Sequence, residues 1–233
     1  MIGVMSETLG EQLAEVKNKI AQAARKASRN ASEIKLVAVS KTHPAETIKK
    51  AIEAGASVFG ENKVQEAERK IAEIGRETAE WHLIGHLQTN KARKAVRLFD
   101  VVHTLDSVEL AERLERICIE ENRVSLSVFA QIDLANEAAK NGIKEEDLPE
   151  LLEFLKTCKH LKLDGLMLIP PYFEDIEKVR PYFRRLRELR DAHLPHGELS
   201  MGMSHDFQIA IEEGATVIRV GTAIFGERSK SRI

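Results

Sequence analysis

Cysteine is nearly absent from this chain of 233 residues, which contains only Cys118 and Cys158. Both fall inside predicted helices, and neither lies in a spacing pattern typical of metal ligands. Two isolated thiols argue against a disulfide framework, which needs several paired cysteines. We therefore expect both cysteines to be reduced and structural, and we predict no metal site.

The sequence also lacks an excess of one charge and lacks long apolar runs. Its 35 lysines and arginines nearly balance its 37 aspartates and glutamates. Because the two signs are interspersed, no nucleic acid is expected and a small molecule is the expected partner. No apolar run approaches the ~18 residues that span a bilayer, and no secretion signal is visible. We expect no membrane partner, a cytoplasmic location and, since no dimer-making domain is visible, a monomer.

Linkers rich in proline or glycine are absent as well, so we predict one domain over residues 1–233. Short apolar runs alternate with amphipathic segments, which predicts strands alternating with helices. The predicted strands are 35–40, 57–60, 81–85, 101–104, 125–134, 163–169, 199–201 and 217–220. The predicted helices are 6–29, 45–54, 63–74, 89–98, 107–122, 145–160, 176–192 and 206–213.

This alternation predicts parallel strands joined by right-handed crossovers, in a closed (β/α)8 TIM barrel preceded by one extra helix. The alternative is an open doubly wound sheet, which is disfavoured because no Gly-x-Gly-x-x-Gly motif follows the first strand. In a barrel, the loops after the strands share the face that carries the site. That rule gathers Lys41, Asn62, His86, Asp133, Met167, Ser204, Arg219, Gly221 and Thr222.

Lys41 follows an apolar strand and has no acidic residue within the four positions before it. We expect its ammonium to point into the barrel mouth, where desolvation lowers the pKa of a lysine and makes it a nucleophile. Such an amine can form an imine with an aldehyde. The alternative is a lysine at a strand end that reaches out to solvent.

Glycine and hydroxyl residues follow the last two predicted strands. Met203-Ser204 and Gly221-Thr222 offer unhindered backbone N–H groups and two hydroxyls, and a helix is predicted to begin at Asp206. The loops after strands seven and eight are the usual phosphate site of a barrel, so the pattern predicts a phosphate cradle. The alternative is a pair of ordinary turns with capping hydroxyls.

Arg219 stands inside the last strand, where a permanently charged guanidinium needs a partner. It faces either a ligand in the barrel or, on the outer side, a helix carboxylate.

Other polar and aromatic side chains near the strands have more than one interpretation. Asn62, His86 and Gln88 either contact a ring or cap the following helices, and capping is favoured for Asn62. His82 is expected to be a hydrogen-bonded core histidine. The aromatic residues expected to pack the barrel are Phe59, Trp81 and Phe225.

Five blocks of sequence stand in order from about residue 10 to 228 at a distinctive spacing. They are Ala38-Val-Ser-Lys-Thr42, Gly60-Glu-Asn-Lys-Val-Gln-Glu66, His82-Leu-Ile-Gly-His-Leu-Gln-Thr-Asn-Lys91, Leu199-Ser-Met-Gly-Met-Ser204 with Asp206, and Arg219-Val-Gly-Thr-Ala-Ile-Phe-Gly226. Together they resemble the YggS/PROSC family of pyridoxal phosphate homeostasis proteins. The resemblance implies one barrel domain like the N-terminal domain of alanine racemase, with pyridoxal 5′-phosphate (PLP) as the cofactor.

The same resemblance implies roles for single residues. The expected PLP contacts are Lys41 as the Schiff-base lysine, Asn62 and His86 near the ring, Arg219 facing the pyridine nitrogen, and Met203, Ser204, Gly221 and Thr222 around the phosphate. Two positions depart from the family pattern: Asp133 stands where relatives tend to carry asparagine, and Leu168 where a smaller or polar residue is common. Each departure bears on the affinity for the ligand.

The implied function is that of an intracellular carrier, which binds PLP reversibly, limits the free aldehyde and hands it to apo-enzymes, with no catalytic residues of its own. Because arginine can only donate, a pyridine nitrogen facing Arg219 stays unprotonated, which disfavours carbanion chemistry. The alternative is an amino acid racemase, whose second base would have to be Tyr172 or His86. A Schiff-base aldolase acting on a phosphosugar is a third hypothesis.

Overall fold

The computed structural model describes residues 8–135 and 141–226, and its eight strands close into a barrel in the order of the sequence. The strands are β1 (Lys35–Val39), β2 (Val58–Glu61), β3 (Glu80–Leu83), β4 (Val101–Leu105), β5 (Leu126–Ile132), β6 (Leu161–Leu168), β7 (Glu198–Met203) and β8 (Val217–Val220). All neighbours pair in parallel, and β1 closes the barrel against β8. The predicted TIM barrel is confirmed, and the open sheet is wrong.

Helices follow the strands and cover the barrel. They are α1 (Leu9–Lys26), α2 (Ala45–Glu53), α3 (Val64–Ile74), α4 (Ala92–Leu98), α5 (Val108–Glu120), α6 (Leu148–Thr157), α7 (Arg180–His193), α8 (Phe207–Glu212) and α9 (Thr222–Phe225). Three predicted helices begin with a 3-10 turn, at 89–91, 145–147 and 176–179, before the α-helix starts. The last helix, α9, was not predicted.

The first helix is shorter than the predicted span 6–29. Its N-cap is Thr8, whose side chain accepts the backbone N–H of Glu11, while the Glu11 carboxylate accepts the N–H of Thr8. This reciprocal capping box defines the start of a helix. The helix stops before Ser28, which has a φ of 56° and so cannot continue a right-handed helix. Ser6, the predicted start, lies outside the described residues.

The apolar stripe of α1 packs on the barrel beside the site. Leu13, Val16 and Ile20 are buried, as the spacing of the stripe predicts, whereas Leu9 is half-buried. The helix contacts α8 and α9, which follow β7 and β8. It therefore packs on the two helices that follow the loops of the predicted phosphate cradle.

The core has two layers. A large apolar layer lies between the strands and the helices, and it includes Phe59 and Trp81, both fully buried as predicted. A smaller cluster consists of Val37, Val58, Val101, Phe129, Met167 and Val217. Phe225 is only half-buried, with its ring 5.1 Å from that of His43.

The two cysteines are free thiols: Cys118 is buried and Cys158 is half-buried. Burial raises the pKa of both thiols to about 11, which keeps them protonated and unreactive. Within residues 8–135 and 141–226, no helix combines the length and apolar character needed to cross a bilayer. The same residues hold no group of three or more His, Cys, Asp or Glu side chains placed to bind a metal ion. The predicted domain bounds, 1–233, extend beyond the described residues and stay a prediction.

Candidate cofactor site

A pocket of about 280 Å³ opens at the carboxyl end of the barrel strands. Its volume is just below the range for most ligand pockets, roughly 300–1,000 Å³, which suits a ligand with a single ring. The lining residues are Val39, Lys41, Asn62, Ile84, Ile169, Met203, Ser204, His205, Arg219, Gly221 and Thr222. The pocket thus brings together all the predicted cofactor contacts except His86.

Lys41 lies in the turn after β1. Ser40, the residue before it, is held by buried side chains from β2 and α3. The Ser40 hydroxyl donates to Glu61 Oε1 over 2.7 Å. Lys70 Nζ donates to the Ser40 carbonyl over 2.8 Å and to Glu61 Oε1 over 2.7 Å. The backbone on the N-terminal side of Lys41 is therefore fixed by side chains from two other elements.

The residue after Lys41 is held by the same network. Thr42 has a φ of 70°, an unusual value for a β-branched residue, and its N–H donates to Glu66 Oε1 over 2.5 Å. Glu66 in turn accepts from Lys70 Nζ over 2.7 Å. We call Ser40, Glu61, Glu66 and Lys70 the turn network, because together they grip the backbone on both sides of the predicted Schiff-base lysine.

Glu61 carries an electrostatic cost within the turn network. Its Oε2 atom is buried and has no hydrogen-bond partner in the structure. Burial raises the pKa of the Glu61 carboxyl, although the charge of Lys70 and the hydrogen bonds from Lys70 and Ser40 favour the ionised form. The cation of Lys70 is therefore what keeps a carboxylate tolerable at this position.

Arg219 lies inside the barrel, with 3% of its surface exposed. Its Nη1 donates to Ser200 Oγ over 2.7 Å, and its Nη2 donates to the Leu168 carbonyl over 2.9 Å. Burial lowers the pKa of Arg219 to about 10, so the guanidinium keeps its charge at neutral pH. The alternative of an outward arginine paired with a helix carboxylate is wrong. A guanidinium has five N–H donors, which leaves donors for a ligand in the pocket.

The loops after β7 and β8 meet at one side of the pocket. Ser204 Oγ accepts the N–H of Gly221 over 3.1 Å and the N–H of Ala223 over 3.4 Å. Thr222, between these two residues, has an exposed side chain and also lines the pocket. Two hydroxyls therefore converge on one side of the pocket. Because the Ser204 oxygen accepts two backbone N–H groups, its proton is left to donate to an oxyanion ligand.

The helix predicted from Asp206 begins one residue later, at Phe207. The Asp206 carboxylate is buried and accepts the N–H of Met203 over 2.6 Å. Burial raises the pKa of Asp206, whereas the Met203 N–H and the charge of Arg219 favour its ionised form. The Asp206 carboxylate thus helps to fix the backbone of the loop after β7.

His86 lies away from the pocket lining, with an exposed side chain whose Nδ1 is 3.3 Å from Asp106 Oδ2. Asp133 lines a separate depression with Leu134, Lys144, Glu145 and Glu146. The predicted contact of His86 with the cofactor stays a prediction that its placement does not favour.

Leu168 and Met167 are both buried and have their side chains outside the pocket lining. Leu168 reaches the site only through its carbonyl, which accepts from Arg219. Neither departure from the family pattern, Asp133 or Leu168, therefore places its side chain in the pocket.

Sequence reasoning missed four lining residues: Val39, Ile84, Ile169 and His205. The first three are apolar and lie at or just beyond strand ends, so they look like ordinary core residues. The period of two was the available signal, since Ile84 lies two residues after the buried His82 and Ile169 two residues after Met167. His205 directly follows Ser204 in the β7 loop, and its exposed ring is 5.4 Å from that of Tyr172.

Comparison with known proteins gives a consistent result. The family described as "Alanine racemase, N-terminal domain" matches residues 12–229. The pyridoxal phosphate homeostasis protein of Aquifex aeolicus is 44% identical over 225 residues, which cover 94% of this chain and 97% of that protein. The protein of the same name from Escherichia coli K12 is 41% identical over 235 residues, covering 96% of this chain and 98% of that protein.

Solved structures agree. The structure of PipY from Synechococcus elongatus with PLP bound has a TM-score of 0.82 and 40% identity, covering 94% of this chain and 100% of that chain. Alanine racemase from Corynebacterium glutamicum, with a TM-score of 0.64 and 17% identity, covers 94% of this chain and 64% of the racemase, and shares the fold alone. Near-complete coverage by relatives more than 40% identical shows that the chain belongs to the pyridoxal phosphate homeostasis protein family, built on the alanine racemase N-terminal domain fold.

Proposed function

We propose that this chain binds PLP in the pocket at the barrel mouth and serves as an intracellular PLP carrier without turnover of its own. The observation that carries the proposal is the shared lining of one small pocket by Lys41, Arg219 and the two converging loops. A primary amine, a charged donor and an oxyanion cradle match the aldehyde, the ring nitrogen and the phosphate of PLP.

Each part of the pocket supports one part of this assignment. Lys41, whose backbone is held by the turn network, supplies the amine for a Schiff base with the aldehyde of PLP. Arg219 can only donate, so it suits an unprotonated pyridine nitrogen, while Asn62 lies beside the ring. The hydroxyls of Ser204 and Thr222 donate to the phosphate, and the N–H of Gly221 holds the Ser204 oxygen in place.

The racemase alternative needs a second base opposite the lysine, and neither candidate supports it. Tyr172 has 76% of its surface exposed and lines a neighbouring depression rather than the pocket. His86 is paired with Asp106 outside the pocket lining. An arginine facing the ring nitrogen also makes PLP a weak electron sink, and this favours storage over carbanion chemistry.

The imine is tested by absorbance. The protein reconstituted with PLP is expected to show a band near roughly 420 nm that disappears on borohydride reduction, as a PLP–lysine imine does. Lys41→Arg keeps the positive charge but cannot form the imine, so it should lose the band while still binding the phosphate of PLP. Lys63→Ala removes an exposed lysine close in sequence and should keep the band. A colourless wild-type protein that cannot be reconstituted would contradict the proposal.

Delivery to other proteins is tested with a trap. PLP-loaded protein is mixed with an apo-enzyme in the presence of an excess of a scavenger for free PLP. Activation that survives the scavenger supports direct hand-over, and activation abolished by it contradicts the carrier role in its direct form. Gel filtration of the loaded and unloaded protein tests the predicted monomer.

A further inference from the structure

A line of hydrogen bonds crosses the barrel interior from Arg219 to the opposite end of the strands. Ser200 Oγ, which accepts from Arg219 Nη1, lies 2.8 Å from His103 Nδ1. His103 Nε2 lies 2.8 Å from His82 Nδ1, and His82 Nε2 lies 2.7 Å from Glu80 Oε1. We call these five residues the interior chain.

The two ends of the interior chain lie at opposite faces of the barrel. Arg219 lines the pocket at the carboxyl ends of the strands. Glu80 is the first residue of β3, and its carboxylate also accepts from Lys35, the first residue of β1. The three middle residues, Ser200, His103 and His82, are each at most 1% exposed. The chain thus joins the floor of the cofactor pocket to a charged pair at the far end.

The direction of every hydrogen bond in the interior chain follows from its two ends. A guanidinium only donates and a carboxylate only accepts. His82 must therefore donate from Nε2 to Glu80, which leaves Nδ1 of the neutral ring to accept from His103 Nε2. His103 Nδ1 then accepts the hydroxyl proton of Ser200, whose oxygen already accepts from Arg219. All donors point from the pocket toward Glu80.

The electrostatic surroundings keep both imidazoles neutral, as this direction requires. Burial lowers the pKa of His82, although Glu80 and Asp100 favour the charged form and Lys35 opposes it. Complete burial, together with His82, Arg219 and Lys35, holds the pKa of His103 well below its usual range. The bond from His82 helps to lower the pKa of Glu80 to about 2, so the far end remains a carboxylate.

The stacking of His103 supplies a second constraint. Its ring stacks on that of Phe129, with centroids 4.5 Å apart and an interplanar angle of 17°. A ring held between an aromatic face and two hydrogen bonds cannot flip without breaking both bonds. A single tautomer of the chain is therefore built into the packing of the barrel.

We propose that Ser200, His103 and His82 are positioning residues, which hold the Arg219 guanidinium against the cofactor pocket through a one-way chain of hydrogen bonds anchored on Glu80. The proposal deepens the proposed function and rests on it, since Arg219 is taken to face the ring nitrogen of PLP. Ser200 acts on the ligand only through Arg219, by supplying a buried acceptor that fixes one arm of the guanidinium.

The first test needs no cofactor. Nitrogen-15 NMR of the histidine side chains in the PLP-free protein should show both His82 and His103 protonated at Nε2 and unprotonated at Nδ1, with no titration around neutral pH. Glu80→Ala removes the terminal acceptor and should mix the tautomers of His82. Glu198→Ala removes a carboxylate at the same end of the barrel and should leave both spectra unchanged. An Nδ1-protonated ring in the wild-type protein, or an unchanged His82 in Glu80→Ala, would overturn the one-way chain.

The second test measures the cofactor site. Ser200→Ala leaves a buried guanidinium arm without its acceptor, which should weaken PLP binding about tenfold and shift the pH profile of the bound chromophore. Ser200→Thr keeps the hydroxyl and should restore both. If the wild-type protein binds PLP and Ser200→Ala matches it in affinity and pH profile, the positioning role is wrong while the proposed function stands. If the wild-type protein binds no PLP, the proposed function fails instead, whatever the tautomers show.

Discussion

The turn network around Lys41 allows a sharp prediction about Lys70. This lysine is one of the few charged residues in the core, with 6% of its surface exposed, and it donates to Ser40, Glu61 and Glu66. Lys70→Met keeps most of the side-chain volume and removes the charge. The Glu61 carboxylate, already missing a partner at Oε2, then loses its nearest cation.

The expected cost is large because both partners are buried. Glu61 has 0% and Lys70 has 7% of the side-chain surface exposed, so solvent screens their interaction little. Breaking a buried pair by removing one partner costs roughly 3–5 kcal/mol of unfolding free energy. Replacing both partners with apolar residues removes the stranded charge, so Glu61→Leu/Lys70→Met should recover at least about 2 kcal/mol of that loss.

Urea denaturation followed by the fluorescence of Trp81 measures these free energies, since Trp81 is the single tryptophan and is fully buried. Lys63→Met, at an exposed lysine, is the matched control and should change the unfolding free energy by less than about 0.5 kcal/mol. PLP retention is measured in parallel, because the network also holds the Lys41 turn.

The effect should depend on pH with a defined sign. Burial raises the pKa of Glu61 in the folded chain above its unfolded value, so the folded chain binds this proton more tightly. Loss of Lys70 increases that difference. The deficit of Lys70→Met should therefore grow as the pH rises above the unfolded pKa and shrink as the pH falls. A cost below about 1 kcal/mol, a double variant no more stable than the single one, or a deficit that grows in acid would refute the reasoning.

The other predictions concern the cradle, a close backbone contact and the far end of the barrel. Thr222→Ala should weaken PLP binding by roughly 1–3 kcal/mol without removing the 420 nm band, and unchanged affinity in a titration would contradict the cradle assignment. Gly85→Ala should destabilise the protein by more than about 2 kcal/mol and weaken PLP retention, because a Cβ would lie 2.2 Å from the Asn62 carbonyl oxygen. Gly10→Ala, on a helix where a Cβ would lie no closer than 3.9 Å to its neighbours, is the control and should stabilise by about 0.5–1 kcal/mol in the same urea assay. Glu80 contributes stability that is present above its unfolded pKa and is lost as the pH falls from about 4.5 toward about 2, so Glu80→Gln should flatten acid unfolding in that window, and an unchanged acid curve would contradict this role.

The sequence predicted the architecture because alternating periodicities are strong local signals. The predicted β8 matches the observed Val217–Val220, and most other boundaries differ by one or two residues. The misses have local causes. The four residues of α9 are too few for a helical period to show, and the end of α1 depends on the left-handed backbone of Ser28.

The positions of the site residues along the chain could be predicted from the sequence, but the directions of their side chains could not. The rule that barrel sites follow the strands found Lys41, Ser204 and Thr222. It also selected His86, because the rule does not say whether a loop side chain turns inward. His103 was not predicted, since the role of a histidine in an apolar strand depends on the partners that the barrel places beside it.

The closure of β1 against β8 has a consequence for how this protein opens and folds. Lys41 and Thr222 line the same pocket beside that seam, although seven strands lie between them along the chain. Such distant partners come together late, because their loop entropy must be overcome before they contact. A molecule held by both residues would tie the first strand to the last, so the loaded form should show its largest slowing of hydrogen exchange at this seam.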